Sequence, residues 1–172
     1  MVFMSVRMKR LVGLCWLLVW LVASAARPWA ATLPAPTSGL EIVYDHNGHQ
    51  HHETLSPQDL LRLAPQKIRT HTVVTDGSIE FEGVWMRDVL AQAPVRGDEV
   101  IAIALNDYRI NIPTRDFDDF DVLLAWVADG KVLEAHNKGP FWIIYPRDDH
   151  QELQDIRYDT RWVWQLLQLQ VQ

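Results

Sequence analysis

The sequence predicts an α+β domain in which short helices accompany a mixed, largely antiparallel sheet. Short runs rich in β-branched and aromatic residues recur along the chain, and most are separated by Gly, Pro, Asn or Asp turn signals. Only two segments carry clear helical signals, one after Ser56 and one after Gly83, and both are short. Strands that greatly outnumber brief helices are typical of this class.

The first 25 residues have the three parts of an export signal. Three basic residues at 7, 9 and 10 precede an apolar run over 11–22, and residues 23–25 (Ala-Ser-Ala) form a small-x-small cleavage site. The run is shorter than the roughly 20 residues that span a bilayer. We therefore expect a signal peptide at 1–25, a periplasmic protein and no permanent membrane anchor.

Removal of that segment leaves a chain of one-domain size with a strongly acidic balance. With its three basic residues gone, 13 basic residues face 22 acidic ones, a net charge of −9. Binding to phosphate backbones needs clustered Lys and Arg, so this balance excludes nucleic acid as a partner. The only cysteine is Cys15, within the export segment, so no disulfide is expected in the mature protein.

The first elements follow from local signals. Residues 26–39, with three prolines, are expected to form an exposed lead-in. A β run over 40–44 leads to Asn47-Gly48, a pair that favours a tight hairpin turn. Ser56, Pro57 and Asp59 have the pattern of a helix start, and Leu60, Leu61 and Leu63 are expected to form the buried side of that helix.

Alternation and turn signals set the remaining elements. Ile68, Thr70, Thr72 and Val74 alternate and predict a strand over 67–75, followed by a turn at 76–77 and a brief strand at 79–81. Gly83 is expected to form a turn with positive φ before a helix whose apolar residues recur at helical spacing. Five further strands are predicted at 100–105, 109–112, 122–127, 141–145 and 162–171.

Four ordered blocks carry a family resemblance: Gly83 before its helix, Asn106-Asp107-Tyr108, residues 129–133 (Asp-Gly-Lys-Val-Leu), and Lys138-Gly139-Pro140 leading to Tyr145-Pro146. Their order over roughly 40–171 resembles the oxidoreductase molybdopterin-binding domain family, which has a sulfite-oxidase-like fold. The resemblance implies one globular domain at 40–172. It also implies an oxidoreductase family whose catalytic members hold molybdopterin.

The resemblance places a molybdenum-ligating cysteine of catalytic members on the segment before Gly83. Here that segment, 68–78, holds His71 and several hydroxyls but no thiol. A neutral hydroxyl is a far poorer ligand than a thiolate for a soft, redox-active metal. We therefore expect no catalytic residue, no metal site and no resident cofactor, with molybdopterin left open as a ligand.

The resulting interpretation is an exported, non-catalytic member that binds a small ligand or a periplasmic protein partner, such as the periplasmic part of a membrane sensor. Binding groups concentrate on loops. The loop residues expected near an inherited cleft are Asn106, Tyr108, Asn137, Lys138 and Arg147.

Two alternatives remain open. One is an active molybdopterin-dependent oxidoreductase that works without the cysteine. The other is a periplasmic metal carrier that uses the His46–Glu53 loop, because residues 45–53 hold four histidines and two carboxylates. Alternation in an outgoing strand would place His49, His51 and Glu53 on one side.

Two other groups have simpler interpretations. The acidic run from Asp116 to Asp121 lacks the glycine and glutamate positions of a calcium loop, so we expect a solvated turn. Trp162 and Trp164 are expected to share one face of the last strand, as packing or as a partner-binding surface.

Overall fold

A computed structural model of the protein describes residues 33–172. The expected signal peptide at 1–25, Cys15 and the first residues of the lead-in lie outside this range. The strands are β1 (Leu40–His46), β2 (His49–Leu55), β3 (Gln66–His71), β4 (Ser78–Trp85), β5 (Glu99–Ala104), β6 (Arg109–Pro113), β7 (Leu123–Ala128), β8 (Lys131–Val132), β9 (Phe141–Ile144) and β10 (Trp164–Val171). The helices are α1 (Pro57–Leu60), α2 (Met86–Leu90), α3 (Arg115–Asp119), a 3-10 helix (Gln151–Gln154) and α4 (Ile156–Asp159).

The described strands form one sheet. Its main path runs β2-β1-β10-β9-β7-β4-β3, while β5 pairs with β10 and β6, and β8 pairs with β7. β1 and β10 are parallel, and every other described pair is antiparallel. The prediction of an α+β domain with a mixed, largely antiparallel sheet and short helices is confirmed.

Strands β7 and β9 form the centre of the core. Every residue of β9 is buried, and so are the residues of β7 from Leu123 to Val127. Near-continuous apolar runs of this kind are expected where a strand is covered on both faces. Trp126 and Trp142 are among the largest fully buried side chains, so two tryptophans pack at the core.

The turn and capping signals near the beginning of the domain are confirmed, whereas the expected burial of Leu61 is wrong. Asn47 and Gly48 both have positive φ in the turn between β1 and β2. Ser56 caps α1, and its side chain and that of Asp59 form a reciprocal capping box. Leu60 is fully buried, whereas Leu61 is 39% exposed, because the helix lasts one turn and presents few positions to the core.

The expected exposure of the lead-in is wrong for part of its described segment. Leu33 and Pro36 are buried. The backbone carbonyl of Pro34 accepts a hydrogen bond of 2.7 Å from Trp126 Nε1. A buried indole N–H needs an acceptor, and this segment supplies it.

Gly83 is not a turn residue. It lies inside β4, where the register with β7 shifts between Glu82 and Gly83, and its φ is not positive. A Cβ at this position would lie 1.9 Å from the carbonyl oxygen of Leu124. The glycine is required because two backbones approach closely, which is a different reason from the positive φ that the sequence suggested.

The strand predicted over 67–75 ends earlier, at His71. Ile68, Thr70 and Thr72 are buried as their alternation predicted, but Val74 is 42% exposed. None of the helices described within residues 33–172 is long and apolar enough to cross a membrane.

Candidate functional site

A cleft opens where the β5–β6 connection faces the segment between α4 and β10, and we call it the tryptophan cleft. It encloses about 250 Å³. Its lining residues are Ala104, Asn106, Tyr108, Asp159, Thr160, Trp162, Val163 and Trp164. Its volume lies a little below the roughly 300–1,000 Å³ of most ligand pockets, and its lining mixes aromatic and polar side chains as theirs do.

The β5–β6 connection forms one wall of the cleft. Asp107 has a positive φ of 63°, and Asn106 Oδ1 accepts a 3.2 Å hydrogen bond from the backbone N–H of Tyr108. The Tyr108 hydroxyl donates a 2.9 Å hydrogen bond to the carbonyl oxygen of Thr160 on the opposite wall. Partial burial raises the pKa of Tyr108, so this hydroxyl remains a donor at neutral pH.

Two indoles form the other wall. Trp162 is only 2% exposed, and its Nε1 is buried without a hydrogen-bond partner among the described residues. Trp164 is 37% exposed, and the ammonium of Lys138 lies 5.5 Å from its ring centroid. The same ammonium lies 5.4 Å from the ring of Trp142, so Lys138 is held by two cation–π contacts.

The structure brings four of the five expected ligand-binding residues to this cleft or its immediate surroundings. Asn106 and Tyr108 line it directly. Lys138 makes a cation–π contact with the cleft residue Trp164, and Arg147 forms an ion pair of 2.7 Å with the cleft residue Asp159. Asn137 contributes a backbone carbonyl that accepts from Gln165 Nε2, which holds the start of β10 in place. The binding role of all five remains a prediction.

Sequence reasoning missed the indoles as cleft residues. It placed Trp162 and Trp164 on one face of the last strand, but Trp162 precedes the first residue of β10. Gln165, immediately after Trp164, has a positive φ of 54°, and the register of β10 shifts around it. The signal available in the sequence was a pair of tryptophans separated by a single residue at a strand end, which can form an aromatic wall.

The segment of residues 71–77, here the threonine loop, occupies the position at which the resemblance places a metal-ligating cysteine. The hydroxyls of Thr72 and Thr75 lie 2.8 Å apart and hydrogen-bond to each other. Thr72 Oγ1 also accepts from the backbone N–H of Val74 at 3.2 Å. The two buried or half-buried hydroxyls therefore satisfy each other and the loop backbone.

His71 at the start of this loop is bound to Asp148. The carboxylate accepts from the backbone N–H of His71 at 3.0 Å and from His71 Nδ1 at 2.8 Å. Burial acts to raise the pKa of Asp148, but these hydrogen bonds outweigh it and hold the pKa below its ordinary value. The backbone N–H of Asp148 in turn donates to Thr70 Oγ1 at 3.2 Å.

The donor set of the threonine loop does not fit a molybdenum atom. It provides two hydroxyls that bind each other, one imidazole that binds a carboxylate, and no thiolate. Within residues 33–172 no cluster of three or more His, Cys, Asp or Glu side chains is arranged to hold a metal ion.

The β1–β2 hairpin gives the histidine-rich segment an ordered arrangement. His51 stacks on Tyr44 with 5.4 Å between ring centroids, and His46 meets His51 edge-on at 6.1 Å. The Tyr44 hydroxyl lies 3.5 Å from Glu53, so His51 and Glu53 share a face, as alternation predicted. His52 points to the other face and hydrogen-bonds Glu41 at 2.7 Å.

The acidic run is solvated only in part, because Asp118, Asp119 and Asp121 are exposed and Asp116 is not. Residues Arg115–Asp119 form α3, and Asp116 is buried, with 3% of its surface exposed. Its carboxylate accepts a 3.0 Å hydrogen bond from the Tyr145 hydroxyl and pairs with Arg161. Burial, and then the neighbouring charge of Asp116, raise the pKa of Tyr145 well above its ordinary value. Arg161 directly precedes Trp162, and the Tyr145 ring lies 6.1 Å from the Trp162 ring, so the network packs against the cleft wall.

Comparisons with known proteins identify the fold. The family model described as oxidoreductase molybdopterin binding domain matches residues 50–148. Among solved structures, the sulfane dehydrogenase SoxCD from Paracoccus pantotrophus is similar, with a TM-score of 0.56 and 20% sequence identity over 81% of this chain. This chain covers 39% of that protein's chain, and the likeness concerns the fold alone. No curated protein matches the sequence significantly.

Proposed function

We propose that this chain, which belongs to the oxidoreductase molybdopterin binding domain family, is an exported, non-catalytic binding protein that holds a small ligand in the tryptophan cleft. The observation that carries the proposal is the contrast between its two polar regions. The threonine loop has its hydroxyls and its imidazole committed to protein partners and no thiolate. The tryptophan cleft, in comparison, is an open pocket of about 250 Å³ whose lining combines two indoles with Asn106 and Tyr108.

A protein partner is the second candidate occupant of the same region. Leu105 is 50% exposed between two cleft residues, and Ile156 at the start of α4 is 79% exposed. An exposed apolar side chain beside an aromatic cleft, as Leu105 is, offers a contact that a protein partner can use. A periplasmic partner, such as the external part of a membrane sensor, fits this surface and the proposed export.

Metal analysis tests the non-catalytic part of the proposal. The full chain is expressed in a molybdenum-replete host, purified from the periplasm, and examined by elemental analysis and absorption spectroscopy. We expect no stoichiometric molybdenum, no sulfite oxidation and no sulfoxide reduction, because no thiolate survives export. Stoichiometric molybdenum in the unmodified protein would establish the oxidoreductase alternative. Stoichiometric copper, zinc or nickel would establish the carrier alternative through His46–Glu53.

A cysteine scan sharpens that test. Thr72, Val73, Val74 and Thr75 are each replaced with Cys, and molybdenum content is measured for each variant. Val73 and Val74 are exposed, so their replacement disturbs little packing and gives the best-matched pair. Metal uptake by one variant would mean that only the ligand is missing from an otherwise competent loop.

Native mass spectrometry of the periplasmic preparation tests the binding part, with a co-purifying small molecule as the expected result. N-terminal sequencing of the same sample tests export. The mature chain should begin near Ala26. Recovery of residues 1–25 in a membrane fraction would show that they serve as an anchor.

A further inference from the structure

Strand β2 presents a long, unprotected edge of the sheet. In the described part of the chain it pairs with β1 alone, and the register runs without a shift from His49 to Leu55. Every residue from His49 to Thr54 is exposed. One side of this strand therefore offers unpaired backbone N–H and C=O groups, which are a template for another strand.

The other strands that pair along one side only, within residues 33–172, have features that oppose a further strand. β3 carries Lys67 and Arg69, and the backbone N–H of His71 at its end donates to Asp148. β6 ends in Pro113, and β8 has only two residues. Lysine, proline, shortness and covering groups are the usual protections of sheet edges. Among these four strands, β2 is the one without a lysine, a proline or a bulge along a full-length edge.

The hairpin turn sets which backbone groups of β2 point outward. Asn47-Gly48 has positive φ at both residues, which is a two-residue type I′ turn, so the flanking pair of His46 and His49 exchanges hydrogen bonds. Hydrogen-bonded and non-hydrogen-bonded pairs alternate along an antiparallel ladder. The residues whose backbone groups point away from β1 are therefore Gln50, His52 and Thr54.

A second copy of β2 fits this edge in an antiparallel register centred on His52. In that register the outward backbone groups of the two copies meet, and all seven residues of one strand face those of the other. The resulting pairs, each made twice, are His49 with Leu55, Gln50 with Thr54, and His51 with Glu53. Moving the centre by one residue shortens the overlap and opposes either His51 to His51 or Glu53 to Glu53.

The side chains of the two copies complement each other in this register. His51 and Glu53 fall at a pair without backbone hydrogen bonds, where facing side chains are closest, and an imidazole N–H can donate to the carboxylate. Gln50 and Thr54 bring an amide opposite a hydroxyl. In the described part of a single chain, the Glu53 carboxylate has one contact, 3.5 Å from the Tyr44 hydroxyl, so it retains oxygen lone pairs for a further donor.

We propose that this chain self-associates through β2, so that the sheets of two copies join across a two-fold axis beside His52. A single strand edge buries little area, so we expect a weak dimer with a Kd on the order of 10–100 μM. This inference goes beyond the proposed function and does not depend on it, because β2 contributes no residue to the tryptophan cleft.

Sedimentation velocity tests the association. Protein purified after expression of the full chain is examined at concentrations from tenfold below to tenfold above the expected Kd. The average mass should rise towards twice that of the monomer, and ¹H–¹⁵N spectra should show slower amide exchange of Gln50, His52 and Thr54 as concentration rises. A monomer at every concentration would overturn the proposal. So would protection of these amides that is independent of concentration, because another segment of the same chain would then cover the edge.

Charge variants test the register. Glu53→Lys places an ammonium opposite His51 of the second copy, and His51→Glu places a carboxylate opposite Glu53. Each variant should weaken its own dimer at least tenfold. Mixed in equal amounts, the two variants should form a heterodimer with a Kd within about threefold of the original, because the new carboxylate then faces the new ammonium while His51 faces Glu53. Failure to form that heterodimer would contradict the register.

Asp45→Lys is the matched control. It changes the net charge by the same amount on the same hairpin, but it lies on β1 and not on the free edge. It should leave the Kd within about twofold. His52→Pro removes a central N–H that β1 does not use, and should abolish the dimer while the monomer still folds. Equal Kd values for Glu53→Lys and Asp45→Lys, or a dimer retained in His52→Pro, would show that β2 is not the interface.

Discussion

The threonine loop and the tryptophan cleft are both built at strand ends, yet their polar groups are used in opposite ways. In the threonine loop, Thr72 and Thr75 hydrogen-bond to each other and His71 hydrogen-bonds to Asp148, so its reactive side chains already have partners within the protein. In the cleft, one hydrogen bond between Tyr108 and Thr160 joins the two walls, and Asn106, Trp162 and Trp164 line an open pocket. The first region is closed by its own hydrogen bonds, whereas the second leaves an open pocket, and that pocket is where we propose that a ligand binds.

The largest expected effect tests the support of the cleft wall. Asp116→Ala removes the carboxylate that receives Tyr145 and Arg161, which leaves a mostly buried guanidinium and a buried hydroxyl without their acceptor. We expect a loss of about 3 kcal/mol in the free energy of unfolding, measured by urea denaturation.

Asp118→Ala on the same helix is the matched control, because that side chain is exposed. It should change the free energy of unfolding by no more than about 0.5 kcal/mol. Equal midpoints for the two variants would mean that the Asp116 network does not stabilise the cleft wall.

The next effect concerns β4, the strand that leaves the threonine loop. Gly83→Ala places a methyl group against the Leu124 carbonyl, so β4 and β7 must separate. We expect a loss of about 2–3 kcal/mol, measured by denaturant unfolding.

Gly130→Ala is the comparison for that variant, since nothing lies within 4 Å of its added carbon and only its φ of 72° opposes the change. Its cost should be about 1 kcal/mol. A Gly83→Ala protein as stable as Gly130→Ala would show that the close strand approach is not rigid.

A smaller effect tests the anchor of the threonine loop through pH. The pKa of Asp148 is lowered in the folded protein, so its contribution is present above the ordinary value of 3.8 and is lost as pH falls through the lowered value. Asp148→Asn should therefore cost at most about 1 kcal/mol at pH 7, because the 38%-exposed carboxylate is screened by solvent, and less at about pH 3, below the ordinary value. Denaturation curves at both pH values check this, with Asp149→Asn as the adjacent control. A cost independent of pH would exclude the charged form as the source.

The smallest effect is expected for the β1–β2 hairpin, whose histidines are exposed. Replacement of His46, His49, His51 and His52 with Ala removes one stacking contact and exposed hydrogen bonds. The free energy of unfolding should fall by only about 0.5 kcal/mol. A much larger loss, accompanied by loss of a stoichiometric metal, would transfer the functional assignment from the cleft to this hairpin.

Local sequence chemistry was sufficient for the elements whose cause is local. Asn47-Gly48 favours a turn with positive φ in any context, and Ser56, Pro57 and Asp59 form a capping box within one helical turn. The ordered blocks from Gly83 to Pro146 indicated the family and hence the sheet class. Asn106 and Tyr108 were placed correctly on a loop because turn residues between two apolar runs mark one.

Only the tertiary structure decided the role of the residues that the sequence had singled out. Gly83 is required by the carbonyl of Leu124, 41 positions away, and Asp116 is buried by partners on two other segments. The cleft joins the β5–β6 connection to residues 159–164, so the sequence of neither segment indicates that the other lies opposite it. Periodicity and turn chemistry act over a few residues, whereas burial and hydrogen-bond pairing depend on which distant segments meet.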